Sequence, residues 1–221
     1  MALPDKMTAR YFGRYGFAAP VIVDVGVMAG TPFLYDAFPD ARFILVDPLE
    51  ESRDAVAATW GDRLDYRFHV AALGARTGRM TLNVPRARPV RASAAARLHD
   101  ADAIERREVD VVRLDQITQG LDGPFGLKID TEGHELAVLR GATRTLKRCE
   151  FVVAEVSIKK RFADGYRFSE VVAFMADHGF EVHSFLSGLT RSPRFSDVLF
   201  LPADDPRFDM PATATDEATP A

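Results

Sequence analysis

The segment from residue 21 to residue 48 constrains this chain more than any other. Val21-Ile22-Val23-Asp24-Val25 is a β-branched run that reads as a buried strand, and Gly26-Val27-Met28-Ala29-Gly30 follows as a turn with glycines four apart. A helix is predicted from about Thr31 to Phe38, and Arg42-Phe43-Ile44-Leu45-Val46-Asp47-Pro48 supplies a second strand that ends on an acid. Strand, glycine turn, helix and strand in this order make a right-handed crossover unit, which builds a parallel sheet.

The turn itself carries chemical information. Glycine lets backbone come close to a ligand. The spacing Asp-x-Gly-x-x-x-Gly departs from the dinucleotide fingerprint Gly-x-Gly-x-x-Gly, in which a pyrophosphate rests on the helix N-terminus. Asp24 would repel a pyrophosphate but suits a cationic amino-acid ligand. Asp47 lies about 20 positions past the glycine turn, where an acid can accept both ribose hydroxyls of an adenosine.

The alternation continues. Further strands are predicted near 66–71, 79–84, 109–114, 126–130, 151–156, 180–185 and 197–201, and helices near 50–59, 134–147 and 168–178. The fold class is therefore α/β, a doubly wound, mostly parallel sheet covered on both faces. Residues 79–84 and 109–114 break the rhythm and read as a strand pair inserted where a crossover helix is expected. Late in the chain, Lys128-Ile129-Asp130-Thr131-Glu132-Gly133-His134-Glu135 repeats the strand-to-turn theme, with Leu136, Val138, Leu139, Ala142 and Leu146 following at helical spacing. Its Asp-x-Glu-Gly turn is either a solvated acidic cap, since carboxylates are favourable at a helix N-terminus, or a set of carboxylates at the ligand-binding edge of the sheet.

Composition narrows the function classes. A length of 221 residues fits one domain, and 47% hydrophobic residues can supply a sizeable core. A formal net charge of −4 argues against nucleic-acid binding driven by phosphate neutralisation. Arg86, Arg88, Arg91 and Arg97 form a local exception, read as a solvated loop or as a lid over an anionic substrate. The single cysteine, Cys149, excludes an internal disulfide and a cysteine-based zinc cluster. No apolar stretch approaches the ~20 residues of a membrane span. The N-terminus lacks the layout of a signal peptide, so a cytoplasmic protein is expected. Residues 1–19, rich in aromatics (Tyr11, Phe12, Tyr15, Phe17), form an arm or partial lid, residues 20–202 form the domain, and residues 203–221 form a disordered tail.

These motifs together are similar to those of the FkbM-type methyltransferases, a branch of the class I S-adenosylmethionine-dependent enzymes. The resemblance rests on Asp24-Val25-Gly26 with Gly30, Val46-Asp47-Pro48, Ala71-Ala72-Leu73-Gly74, Val112-Arg113-Leu114-Asp115 and Lys128-Ile129-Asp130-Thr131-Glu132-Gly133. It implies a seven-stranded Rossmann-like sheet, S-adenosyl-L-methionine as donor, and a hydroxylated small-molecule acceptor such as a sugar or secondary metabolite. By the resemblance, Asp24, Gly26 and Gly30 form the cofactor turn, Asp47 holds the ribose, and Ala71 and Ala72 lie near the adenine. Asp130 and Glu132 face the reactive end. Where the family usually has Ala-Asn after the first glycine, this chain has Val27-Met28.

Methyl transfer to a hydroxyl needs the acceptor aligned and its proton removed, and a positioned base contributes ~10²–10⁴-fold. Asp130, Glu132 and His134 are the candidates: Asp130 to orient cofactor or acceptor, Glu132 or His134 to take the proton. A histidine placed as His134 is more often a surface residue, Glu155 reads as an acceptor ligand or a loop cap, and His69 as a packed sheet histidine. The spacing of Asp130, Glu132 and His134 does not define a metal site, and none is assigned. Two other readings remain, a nucleotide-dependent oxidoreductase on a related fold and a catalytically silent binding or partner subunit.

Overall fold

The structure is a computed structural model and describes residues 6–85, 104–163, 165–187 and 192–209. A seven-stranded sheet is built from β1 (Val21–Val25), β2 (Arg42–Asp47), β3 (Asp65–Val70), β7 (Phe125–Ile129), β8 (Cys149–Ser157), β9 (Phe180–Phe185) and β10 (Phe195–Pro202), in the order β3-β2-β1-β7-β8-β10-β9. Neighbours from β3 to β8 are parallel, and β10 runs antiparallel to both β8 and β9. The chain leaves β1 towards β2 on one side and returns to β7 on the other. That reversal opens a crevice beyond the carboxyl ends of β1 and β7, where folds of this kind bind ligands.

Strand parity sorts the core into two layers. Val23, Val25, Leu127 and Ile129 pack on one face with α5 (Glu135–Arg140) and α7 (Phe168–Asp177). Ile22, Phe43, Leu45 and Phe151 pack on the other, beneath α1 (Ala9–Gly13), α2 (Pro32–Ala37) and α3 (Glu50–Trp60). The arm runs across this second face, where Phe12 meets Phe33 and Phe151. Its described residues cover the sheet rather than the crevice.

The inserted pair is present as β5 (Gly78–Pro85) and β6 (Ile104–Val112), which with the short β4 (Ala72–Leu73) form a separate three-stranded sheet. Strand β6 starts earlier than 109–114, and residues 114–117 turn into helix α4 (Leu114–Ile117). The helix expected over 134–147 is two helices, α5 and α6 (Thr143–Leu146). Buried Asp115 explains the break: its carboxylate accepts from Arg144 N at 3.0 Å and from Thr145 N at 2.9 Å, starting a new helix there. Residues 203–209, read above as tail, are held in place, with Arg207 donating to Tyr15 O at 2.7 Å and lying over Phe17. The remainder of that tail and the arginine-rich stretch 86–103 lie outside the described residues. No helix among the described residues is long and apolar enough to cross a membrane.

Candidate active site

Backbone hydrogen bonds stitch the strand tips side by side. Gly26 N donates to Val46 O at 2.9 Å, Asp130 N to Val25 O at 2.9 Å, and Ala71 N to Asp47 O at 3.2 Å. Beyond these tips lies a cleft of about 630 Å³, its open mouth included, lined among others by Gly26, Met28, Asp47, Ala71, Ala72, Asp130, Glu132 and His134.

Gly26 is where the cleft depends on a missing side chain. Its φ is +79°, and a Cβ there would lie 1.7 Å from Asp130 O, so the two turns approach only because no side chain separates them. Gly30 serves something else. Its φ is +112° and a Cβ would strike the Trp60 indole at 2.4 Å; it lets α2 and α3 pack and does not line the cleft. Between them Met28 sits in the left-handed region at φ +53°, and its N–H donates to Asp47 Oδ2 at 3.1 Å.

Asp47 is 5% exposed and accepts from Leu49 N through Oδ1 at 3.0 Å. Burial raises its pKa, while the Leu49 and Met28 N–H groups work to keep it charged. Asp24 departs from the sequence reading. It shares the parity of Ile22, so its side chain points to the α2 face, is fully buried, and accepts from Tyr35 Oη at 2.9 Å. It does not line the cleft, and the two strand-end acids do not face it together. Its cross-strand partner is Lys128, whose Nζ stands 3.7 Å from Asp24 Oδ1 and 3.4 Å from Asp130 Oδ2. Burial opposes the Lys128 charge, but Asp130, Asp24 and Asp197 outweigh it and the pKa rises. Lys128 thereby fixes Asp130, which reaches the cleft.

The turn after β7 is organised by residues the sequence reading left unassigned. Buried Glu135 accepts from Thr131 N at 2.9 Å, Gly133 N at 3.0 Å and Tyr166 Oη at 2.5 Å. Arg161 donates to Glu132 Oε2 and to Glu155 Oε1, each at 2.6 Å, tying the segment after β8 to this turn. Glu155 is pushed up to about 8 by burial and by Asp130, against the pull of Arg161. It does not line the cleft. His134 does, and burial lowers its pKa, so its ring is neutral at pH 7. The signals for Lys128 and Glu135 were charges at positions where a strand or helix face turns inward; Arg161 and Tyr166 gave none. His69 lies on the edge strand β3, half-buried. No metal-ligating cluster occurs among the described residues.

The site suits an adenosyl sulfonium on its own features. Gly26 lets the turns after β1 and β7 meet at its edge, Ala71 and Ala72 leave room at the tip of β3, and Asp47 and Asp130 both line it. A family model described as the methyltransferase FkbM domain matches residues 24–182. Two solved structures resemble the fold. Cofactor-bound Rv0187 from MTB is 14% identical, over 89% of this chain and 78% of that one, with a TM-score of 0.52. Magnesium protoporphyrin IX methyltransferase from Synechocystis PCC 6803 with bound SAM is 12% identical, over 88% and 76%, with a TM-score of 0.50. No curated protein matches the sequence.

Proposed function

The chain belongs to the FkbM methyltransferase family, and we propose that it transfers a methyl group from S-adenosylmethionine to a hydroxyl of a small metabolite such as a sugar, in the cytoplasm. The observation that carries this reading is the cleft itself, which Gly26, the buried acid Asp47, Asp130 and His134 line together at the strand tips. When bound, the donor supplies an electrophilic methyl group on a cationic sulfur.

The residues divide the work. Asp47, held by two backbone N–H groups, receives the ribose hydroxyls, and Gly26 lets the turns after β1 and β7 meet beside it. Asp130, steadied by Lys128, meets positive charge at the transfer end. A ring nitrogen of neutral His134 takes the acceptor's hydroxyl proton; a base whose pKa lies near or below the working pH is unprotonated and ready. Glu132 is the weaker candidate because Arg161 engages its carboxylate. Its role is to hold the turn that presents Asp130 and His134.

Titration of the purified chain with S-adenosylhomocysteine, NAD and buffer alone tests the reading. Stabilisation by S-adenosylhomocysteine only is expected, because a ligand specific for the native state raises its melting temperature by mass action. A response to NAD alone favours the oxidoreductase, and no response to either favours a silent subunit. In a binding-competent protein, Asp130→Asn is expected to cut turnover far more than it lowers the melting temperature.

A further inference from the structure

The cleft is lined in part by an element that stands outside the seven-stranded sheet. Along β5 and β6 the side chains alternate. Arg79, Thr81, Arg106, Glu108 and Asp110 face outward, with Thr81 bonded to Glu108 across the pair. Met80, Leu82 and Val84 face inward, where Leu82 and Val84 join Leu49 and Val109 in a small core of their own. Met80 and Leu82 both line the cleft, together with Leu49 from the segment after β2 and Ala71, Ala72 and Leu73 from the segment after β3.

The hairpin is fixed in this position. Arg107, opposite Leu82 in the pair, donates to Glu51 of α3 at 2.5 Å and to Glu105 at 2.7 Å. Leu82 is 4% exposed and Leu49 5% exposed, so their packing is complete, whereas Met80 remains half-buried with its side chain at the cleft wall. A flat, uncharged aromatic group gains from such a wall, and thioethers make favourable contacts with aromatic rings. Asp130, Glu132 and His134 come to the cleft from the turn after β7, and Asp47 from the tip of β2.

We propose that the inserted β5–β6 hairpin is a cofactor-binding element, in which Met80 and Leu82 cover the adenine while the strand tips hold the ribose and amino-acid portions. This rests on the methyltransferase reading. The hairpin thereby sets cofactor affinity without touching the methyl acceptor. Arg107 is a positioning residue, acting through the hairpin it tethers to α3.

Calorimetric titration of wild type, Met80→Ala and Met80→Leu with S-adenosylhomocysteine and with methylthioadenosine, which keeps the nucleoside and lacks the amino-acid end, tests this. Met80→Ala is expected to weaken both ligands about tenfold, the loss of about two buried methylene-sized groups. Met80→Leu should restore most of the affinity. The melting temperature without ligand should stay within a degree or so of wild type, because Met80 is only half-buried. In turnover, KM for the donor should rise with kcat little changed. Wild-type affinity in Met80→Ala overturns the assignment, as does a loss confined to S-adenosylhomocysteine. Absence of binding by wild type itself would instead end the underlying methyltransferase reading, so the two failures are distinguishable.

Discussion

Two turns at the same edge of the sheet, Gly26–Gly30 after β1 and Asp130–Gly133 after β7, do the same structural job by different means. The first is held by shape. Gly26 lets it touch the neighbouring turn, Gly30 slots against Trp60, and its side-chain anchor is Asp47 receiving the Met28 N–H. The second is held by charge. Glu135 gathers its N–H groups from below, and Arg161 and Lys128 pin Glu132 and Asp130. Each turn contains one non-glycine residue with left-handed backbone, Met28 at φ +53° and Glu132 at φ +52°. The lesson is that one wall of this crevice rests on close backbone packing and the other on paired charges, and that the two are vulnerable to different substitutions.

The largest effect separating them is expected at Gly26. Gly26→Ala forces a Cβ against backbone oxygen and into a positive φ, and urea unfolding should show a loss on the order of 4 kcal/mol or a cleft that no longer binds ligand. A variant with native stability and affinity would mean that the first turn is not governed by shape. Next comes Glu135→Ala, which leaves the N–H groups of Thr131 and Gly133 and the Tyr166 hydroxyl unpaired in a buried setting. We expect it to cost about 3 kcal/mol, while Tyr166→Phe, which removes one of those bonds, should cost about 1 kcal/mol.

His134→Gln should preserve the fold and lower kcat about a hundredfold, equivalent to about 2.7 kcal/mol of barrier. Its pH dependence has a definite sign. Burial lowers the folded-state pKa of His134 below its ordinary 6.5. The acid limb of kcat/KM should therefore fall below pH 6.5 in wild type and vanish in the variant. By linkage the same residue withdraws stability as pH drops from about 6.5 towards the lower folded value, because the unfolded chain takes up the proton first.

The smallest expected effect is also the sharpest contrast. Met28→Asn relieves left-handed backbone at little cost and should gain roughly 0.5 kcal/mol, since Asn tolerates that region better. Glu132→Asn offers the same relief but removes a carboxylate from Arg161, so it should destabilise. Equal signs in the two variants would erase the distinction between the turns.

The sheet was legible because its central strands are written in apolar runs and its edge strands in alternating ones. Val21–Val25, Arg42–Asp47, Phe180–Phe185 and the helix Phe168–Asp177 stand within a residue of where periodicity puts them. The helix over 134–147 was misread because its interruption comes from Asp115, almost thirty residues earlier, whose carboxylate caps α6. Asp24 was misassigned for a related reason. Its position at the end of a strand is visible in the sequence, but which face it takes follows from parity with Ile22, and its partner Lys128 is supplied by another strand.

By itself, then, the sequence determined the α/β alternation, the glycine turn after β1, the acidic turn after β7 and the family, because each is set by residues close together along the chain. Only the tertiary structure decided which acids face the cleft, that Glu135, Arg161 and Lys128 brace its charged wall, and that Met80 and Leu82 of the inserted pair line it. Those outcomes depend on which distant segments meet at the sheet edge, and contacts of that kind are fixed by packing and strand register rather than by local residue patterns.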